Sequence, residues 1–125
     1  MIDDSYNANP GSLKAGLDAF RAFERSRWLI LGDMMELGPA SDALHAEIVR
    51  YARKTGVERL LAVGPRSKHA AEAFGSGGSW FEHVDDLIEE ARNGLHPGVA
   101  VLVKGSRASR LDRVTAALTL DSSEV

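Results

Sequence analysis

Apolar positions along the chain follow two rhythms, short unbroken runs and stripes spaced three or four residues apart, and the two alternate from one end to the other. The stripes predict helices and the runs predict strands buried on both faces. Met1 and Ile2 open as a short strand. Asn9 then stands where a helix cap belongs, Pro10 suits a first turn, and Leu13, Leu17, Phe20 and Phe23 recur on one side. Trp28 to Leu31 is a continuous apolar run closed by Gly32. After a loop over Asp33 to Ala40, Ser41 is placed to cap a second helix with the stripe Leu44, Ile48, Tyr51 and Ala52, and Gly56 is placed to end it. A strand at Leu60 to Val63, a short helix from Ser67 to Phe74, and a brief strand at Trp80 and Phe81 follow, with Gly75-Ser76-Gly77-Gly78 as a flexible connection. Val84, Leu87, Ile88, Ala91 and Leu95 give the clearest helical period, which Pro97-Gly98 breaks before the strand Val99 to Val103. Leu111, Val114 and Leu118 predict a closing helix, and Asp121 to Val125 reads as a frayed end.

Short apolar strands separated by helices imply a parallel sheet covered on both sides. The expected fold is therefore α/β, a Rossmann-like, doubly wound, mostly parallel sheet with helices on both faces. In such sheets ligands meet the loops beyond the carboxyl ends of the strands, so chemistry is to be sought there. No internal repeat or long linker divides the sequence, and residues 1–125 are expected to form one domain.

Composition narrows the function classes. The 44% of hydrophobic residues in a chain of 125 suffices for one core of ordinary size. Fifteen basic against eighteen acidic residues leave a net charge of -3, without the positive excess that nucleic-acid binding requires. The densest acidic group, Asp85, Asp86, Glu89 and Glu90, has the spacing of a solvated helix face. Lacking cysteine, the chain has neither a disulfide framework nor a thiolate metal site, and a cytoplasmic location is expected. Its longest apolar runs fall far short of the ~20 residues that a membrane helix needs. His69, His83 and His96 lack metal-ligand spacing, and they are read as structural or exposed. Neither the G-x-x-x-x-G-K-[ST] phosphate loop nor the G-x-G-x-x-G dinucleotide fingerprint occurs.

Three loops after strands carry the candidate chemistry. Asp3-Asp4-Ser5-Tyr6-Asn7-Ala8-Asn9-Pro10 sets carboxylates, a phenol and amides between a strand end and a helix start. A carboxylate accepts hydrogen bonds from a ribose and a Tyr ring packs beside a base, but Ser5 and Asn7 serve equally well as turn formers. Gly32-Asp33-Met34-Met35-Glu36-Leu37-Gly38 brings two acids that could orient an ammonium group, or simply line an exposed connection. His45, just inside the following helix, is either a surface or packing residue or a proton carrier. Lys104-Gly105-Ser106-Arg107 precedes a helix start, where cations, a hydroxyl and unpaired backbone N–H groups suit a carboxylate or phosphate; a charged helix cap is the plainer reading.

Taken together, DDSYNANPGSL, LGDMMELG with Leu44-His45 after it, and VKGSR stand in the order and approximate spacing of the C-terminal domain of MurF-type ligases, which the sequence resembles along nearly its whole length. That resemblance implies a three-domain, ATP-dependent enzyme whose N-terminal domain holds a UDP-sugar, whose central domain carries the phosphate loop and magnesium, and whose C-terminal domain closes over both. It further implies a reaction in which the terminal carboxylate of a UDP-N-acetylmuramoyl-tripeptide is phosphorylated by ATP and the amine of D-alanyl-D-alanine then displaces phosphate. Matched by motif, Asp4, Tyr6, Asn7 and Asn9 would lie beside the nucleotide, with Asp4 directed at its ribose. Asp33, Glu36, His45 and Ser106 would face the dipeptide or the transferring group, and Lys104 and Arg107 would serve the reaction itself by holding an anionic oxygen. No metal ligand is expected in this chain. The expected partners are the two substrates and the other domains of the same ligase, with no nucleic acid, no membrane insertion and no oligomer.

Met1 and Ile2 alone precede the acidic pair, so the chain is expected to be a domain excised from a larger ligase and inactive by itself. Two other classes compete. A signalling receiver domain shares the acids after the first strand and the Lys after the last, yet it needs a phosphorylatable Asp after the third strand, where Val63-Gly64-Pro65 stands. A stand-alone nucleotide-binding module would need no chemistry of its own.

Overall fold

The computed structural model describes residues 2–3, 10–20, 26–33, 41–65, 67–95 and 98–104. Along the chain they form β1 (Ile2–Asp3), α1 (Pro10–Phe20), β2 (Ser26–Gly32), α2 (Ser41–Lys54), β3 (Arg59–Val63), α3 (Lys68–Phe74), β4 (Gly78–Phe81), α4 (Val84–Gly94) and β5 (Val99–Lys104). The strands make one five-stranded sheet in the order β1-β5-β2-β3-β4, and every neighbouring pair runs parallel.

Side chains alternate across this sheet, and each face has its own core. Leu29, Leu31, Leu60, Ala62, Ala100 and Leu102 point to one side, where Leu17 of α1, Ile48, Val49 and Ala52 of α2, and Ala70, Ala71 and Phe74 of α3 cover them. Trp28, Ile30, Leu61, Val63, Val101 and Val103 point to the other, against Leu87, Ile88 and Ala91 of α4. Strands buried on both faces have no polar alternation to show, which is why they read as solid apolar runs. From β1 to β4 the chain crosses the sheet in one sense with its helices on one face. It then returns to β5 in the opposite sense through α4 on the other face, as a constant crossover hand demands. The doubly wound, parallel α/β fold expected from the apolar pattern is the fold observed.

Two local details differ from the sequence reading. The buried stripe of α2 is His45, Ile48, Val49 and Ala52, whereas Leu44 and Tyr51 are only half-buried. The helix is wedged between α1 and α3, so its inward face is rotated from the one that apolar residues alone suggest. The connection after α3 is held in place: Arg53 Nη1 donates to the carbonyl oxygens of Phe74 and Ser76, and its guanidinium stacks over the Phe74 ring.

Helix α2 ends as expected at Gly56. With φ at 105°, this residue takes the left-handed conformation that favours glycine. Gly56 N donates to Arg53 O (3.1 Å) and Val57 N to Ala52 O (3.1 Å), the paired bonds of a Schellman motif, and Val57 is buried as that motif's apolar follower. The acidic group of α4 faces outward, with Glu90 half-buried where it pairs with Arg59. The predicted closing helix and the frayed end lie outside the described residues.

Candidate functional site

Strand order decides which loops meet. Because β5 is inserted between β1 and β2, Asp3 pairs with Val103 and Leu31 with Lys104, so the carboxyl ends of these three strands stand side by side at one level. Neighbouring strands are ~4.8 Å apart, so the three ends span roughly 10 Å. Open parallel sheets bind ligands beyond the carboxyl ends of their strands, the level at which these three ends stand. Each of the three polar phrases begins at this rim. Of the predicted site residues, Asp33, His45 and Lys104 are described; Asp4, Tyr6, Asn7, Asn9, Glu36, Ser106 and Arg107 lie outside the described residues.

Asp33, the first residue after β2, is 7% exposed. A buried carboxylate must be hydrogen-bonded to offset its desolvation. Ser67 supplies such a bond, its Oγ donating to Asp33 Oδ1 at 2.8 Å, and Ser67 is itself wholly buried. Beside them, Gly64 follows β3 at the level of β2's end, since Gly32 pairs with Val63. A Cβ on Gly64 would come within 2.6 Å of Asp33 Oδ1, so this carboxylate occupies the space that any other residue's side chain would take. Trp80 of β4 completes the cluster by donating its indole N–H to the Gly64 carbonyl at 2.7 Å.

Lys104 is fully buried at the end of β5. By alternation it shares the face of Leu102, and its Cε would be 3.4 Å from a Cβ on Gly16, so its stem runs beneath α1. His45 is likewise fully buried in the first turns of α2. The side chains of Asp33, His45 and Lys104 are thus recessed below the rim.

Ser67, Gly64, Trp80 and Gly16 were not among the candidates. Ser67 carried a signal, a serine at a helix start, but that signal points to its own helix and not to a carboxylate 34 residues earlier. An open groove between α2 and α3 is lined by Asp42, Arg50, His69 and Glu72 among others. Its polar contacts, His69 Nε2 to Asp42 Oδ2 (3.5 Å) and His69 Nδ1 to Glu72 Oε2 (3.9 Å), are exposed and therefore weak. Among the described residues no three His, Asp or Glu side chains come together so as to hold a metal ion, and no helix is long and apolar enough to cross a membrane.

Against known proteins, the family described as Mur ligase, glutamate ligase domain matches residues 1–107. The UDP-N-acetylmuramoyl-tripeptide–D-alanyl-D-alanine ligase of Escherichia coli (strain K12) is 36% identical over 120 residues, an alignment covering 94% of this chain and 26% of the relative. The ligase of the same name from Mycobacterium tuberculosis (strain CDC 1551 / Oshkosh) is 38% identical over 147 residues, covering 97% and 29% respectively. Among solved structures, MurF from Acinetobacter baumannii superposes with a TM-score of 0.83 at 26% identity, over 92% of this chain and 26% of that one. MurF ligase from Thermotoga maritima in complex with ADP gives 0.74 at 25% identity, over 91% and 26%. The chain spans little more than a quarter of these proteins.

Proposed function

We propose a function from one premise: this chain belongs to the Mur ligase, glutamate ligase domain family. It is the C-terminal domain of an ATP-dependent ligase that adds D-alanyl-D-alanine to a UDP-N-acetylmuramoyl-tripeptide in peptidoglycan synthesis, acting in the cytoplasm as a monomer together with the other domains of the same enzyme. The relatives' names supply the substrates, and the observation that carries the reading is the register joining β1, β5 and β2. This register supports a single cleft wall built from all three polar phrases.

The residues present fit a nucleotide at this rim. Between Asp3 at the strand end and Pro10 at the start of α1, residues 4–9 offer a carboxylate, a phenol and amides, the donor and acceptor set that a ribose and base require. Asp4 would accept hydrogen bonds from the ribose, and Tyr6, Asn7 and Asn9 would flank the adenosine. ATP supplies the phosphoryl group that activates the tripeptide carboxylate toward the dipeptide amine. Asp33 and Glu36 orient the dipeptide ammonium, with Ser106 and His45 beside the substrate. Lys104 and Arg107 stabilise anionic oxygen as charge develops there; because the Lys104 stem is held beneath α1, its charge is fixed in place without reorganisation. Magnesium is assigned to the central domain, and to no residue here. Closure of the domain over its neighbours brings the wall to the reacting groups and excludes water.

The test is a phosphate-release assay on the full-length ligase that carries this domain, with UDP-N-acetylmuramoyl-tripeptide, ATP and D-alanyl-D-alanine. Dipeptide-dependent release that Asp4→Ala abolishes, in a protein with an unchanged circular dichroism spectrum, is the expected result. Release that needs a single amino acid in place of the dipeptide would overturn the substrate assignment, and normal turnover by Asp4→Ala would remove that residue from the site.

A further inference from the structure

Ser67 occupies the N-cap position of α3, and a serine there ordinarily turns its hydroxyl onto the first N–H groups of its own helix. Here it makes no side-chain cap bond. Its carbonyl accepts the first intrahelical bond, from Ala71 N at 3.2 Å, while the hydroxyl is directed to Asp33 Oδ1. A helix left without its side-chain cap gives up about 1 kcal/mol. The bond that replaces it goes to a carboxylate that could not be buried unpaired, and hydrogen bonds to charged groups are the stronger kind.

We propose that Ser67 is a positioning residue for Asp33, setting the direction of that carboxylate in the floor of the dipeptide site. The inference rests on the function proposed above and adds to it a residue outside all three loop motifs. Three constraints act on Asp33 together. Ser67 binds one oxygen, the bare Cα of Gly64 leaves the carboxylate space beside β3, and Trp80 holds the Gly64 backbone through its carbonyl. A turn between Gly64 and α3, closed by Ser67 N donating to Gly64 O at 3.2 Å, makes the three act as one unit. The carboxylate is thereby presented in one orientation before any ligand arrives, which lowers the ordering cost of binding.

The experiment measures KM and kcat of the full-length ligase for each of its three substrates in the wild type, Ser67→Ala, Ser67→Cys, Asp33→Asn and the Ser67→Ala/Asp33→Asn double variant, with the thermal midpoint of each. Ser67→Ala is expected to raise the dipeptide KM roughly tenfold, the worth of one hydrogen bond to a charged group, with the KM values for ATP and the UDP-linked substrate unchanged. Ser67→Cys keeps the size and a weak donor and should recover part of the loss. The double variant should be no worse than Asp33→Asn, because the hydroxyl acts only through the carboxylate. An unchanged dipeptide KM in Ser67→Ala, or an equal decline for all three substrates that tracks a lowered thermal midpoint, overturns the positioning role while leaving the ligase reading intact. A wild-type enzyme that does not use the dipeptide overturns both.

Discussion

Replacing Gly64 with alanine tests the rim most directly, because its cost can be built from the geometry. Gly64 has φ of 109°, where an L-residue is strained by ~1–2 kcal/mol. The added methyl would also lie 2.6 Å from Asp33 Oδ1, 2.7 Å from Cγ and 2.9 Å from Oδ2, so the whole carboxylate must shift. Shifting it breaks the Ser67 bond inside a buried pair, worth a further ~1–3 kcal/mol. The sum, about 2–5 kcal/mol, is a large share of the ~5–15 kcal/mol that holds a typical domain together. Urea unfolding followed by circular dichroism would report it as a lowered midpoint with an unchanged slope. Gly16→Ala supplies the contrast. There the methyl would meet Lys104 Cε at 3.4 Å and Leu102 Cδ2 at 3.6 Å, ordinary contacts, inside a helix where alanine gains up to ~1 kcal/mol over glycine. The same substitution should therefore leave stability unchanged or raised at residue 16 and lower it sharply at residue 64. A Gly64→Ala midpoint equal to wild type would refute the reasoning, since it would mean that Asp33 gives way freely and is not clasped.

Three further substitutions probe the packing and polar contacts of the described sheet and helices. Phe74→Ala empties a fully buried ring site that α3 presents to the first core and removes the surface on which Arg53 stacks; a loss of ~3–5 kcal/mol in the same urea titration is expected. Trp80→Phe keeps an aromatic ring but deletes one of two donors to the Gly64 carbonyl, and should cost ~0.5–1.5 kcal/mol; no measurable loss would show that the bond from Ser67 N satisfies that carbonyl alone. Glu90→Gln weakens a half-exposed pair with Arg59, 3.4 Å long, and the change should stay below ~1 kcal/mol because Arg59 keeps its place over the Trp28 ring, 4.8 Å from its centre. A larger loss from Glu90→Gln, diminishing in high salt, would mean that this pair is better shielded than its exposure implies.

The candidate site was legible to a different depth at each residue. The loops after β1, β2 and β5 could be found because a parallel α/β sheet puts its chemistry at strand ends, and strand ends follow from apolar runs broken by Gly or charge. Asp33 and Lys104 could be named as polar groups at those ends. Their burial could not, because covering a charged side chain depends on which helix lies above it, and Gly16 and Ser67 come from distant parts of the chain. Ser67 pointed locally to a helix cap. Its hydroxyl went elsewhere because a buried carboxylate outweighs an N–H group that water or a backbone carbonyl can satisfy.

What the amino-acid sequence determined without help is the order and kind of the elements, from β1 through β5, together with the helix end at Gly56. These depend on side-chain period and on backbone preference, which act over a few residues. Only the tertiary structure decided that β5 enters between β1 and β2, that His45 and not Leu44 faces the core, and that Ser67 reaches Asp33. Those outcomes are contacts between segments far apart in the chain, settled by which faces bury the most apolar surface while leaving no buried charge unpaired, and such a balance exists only once the whole sheet is assembled.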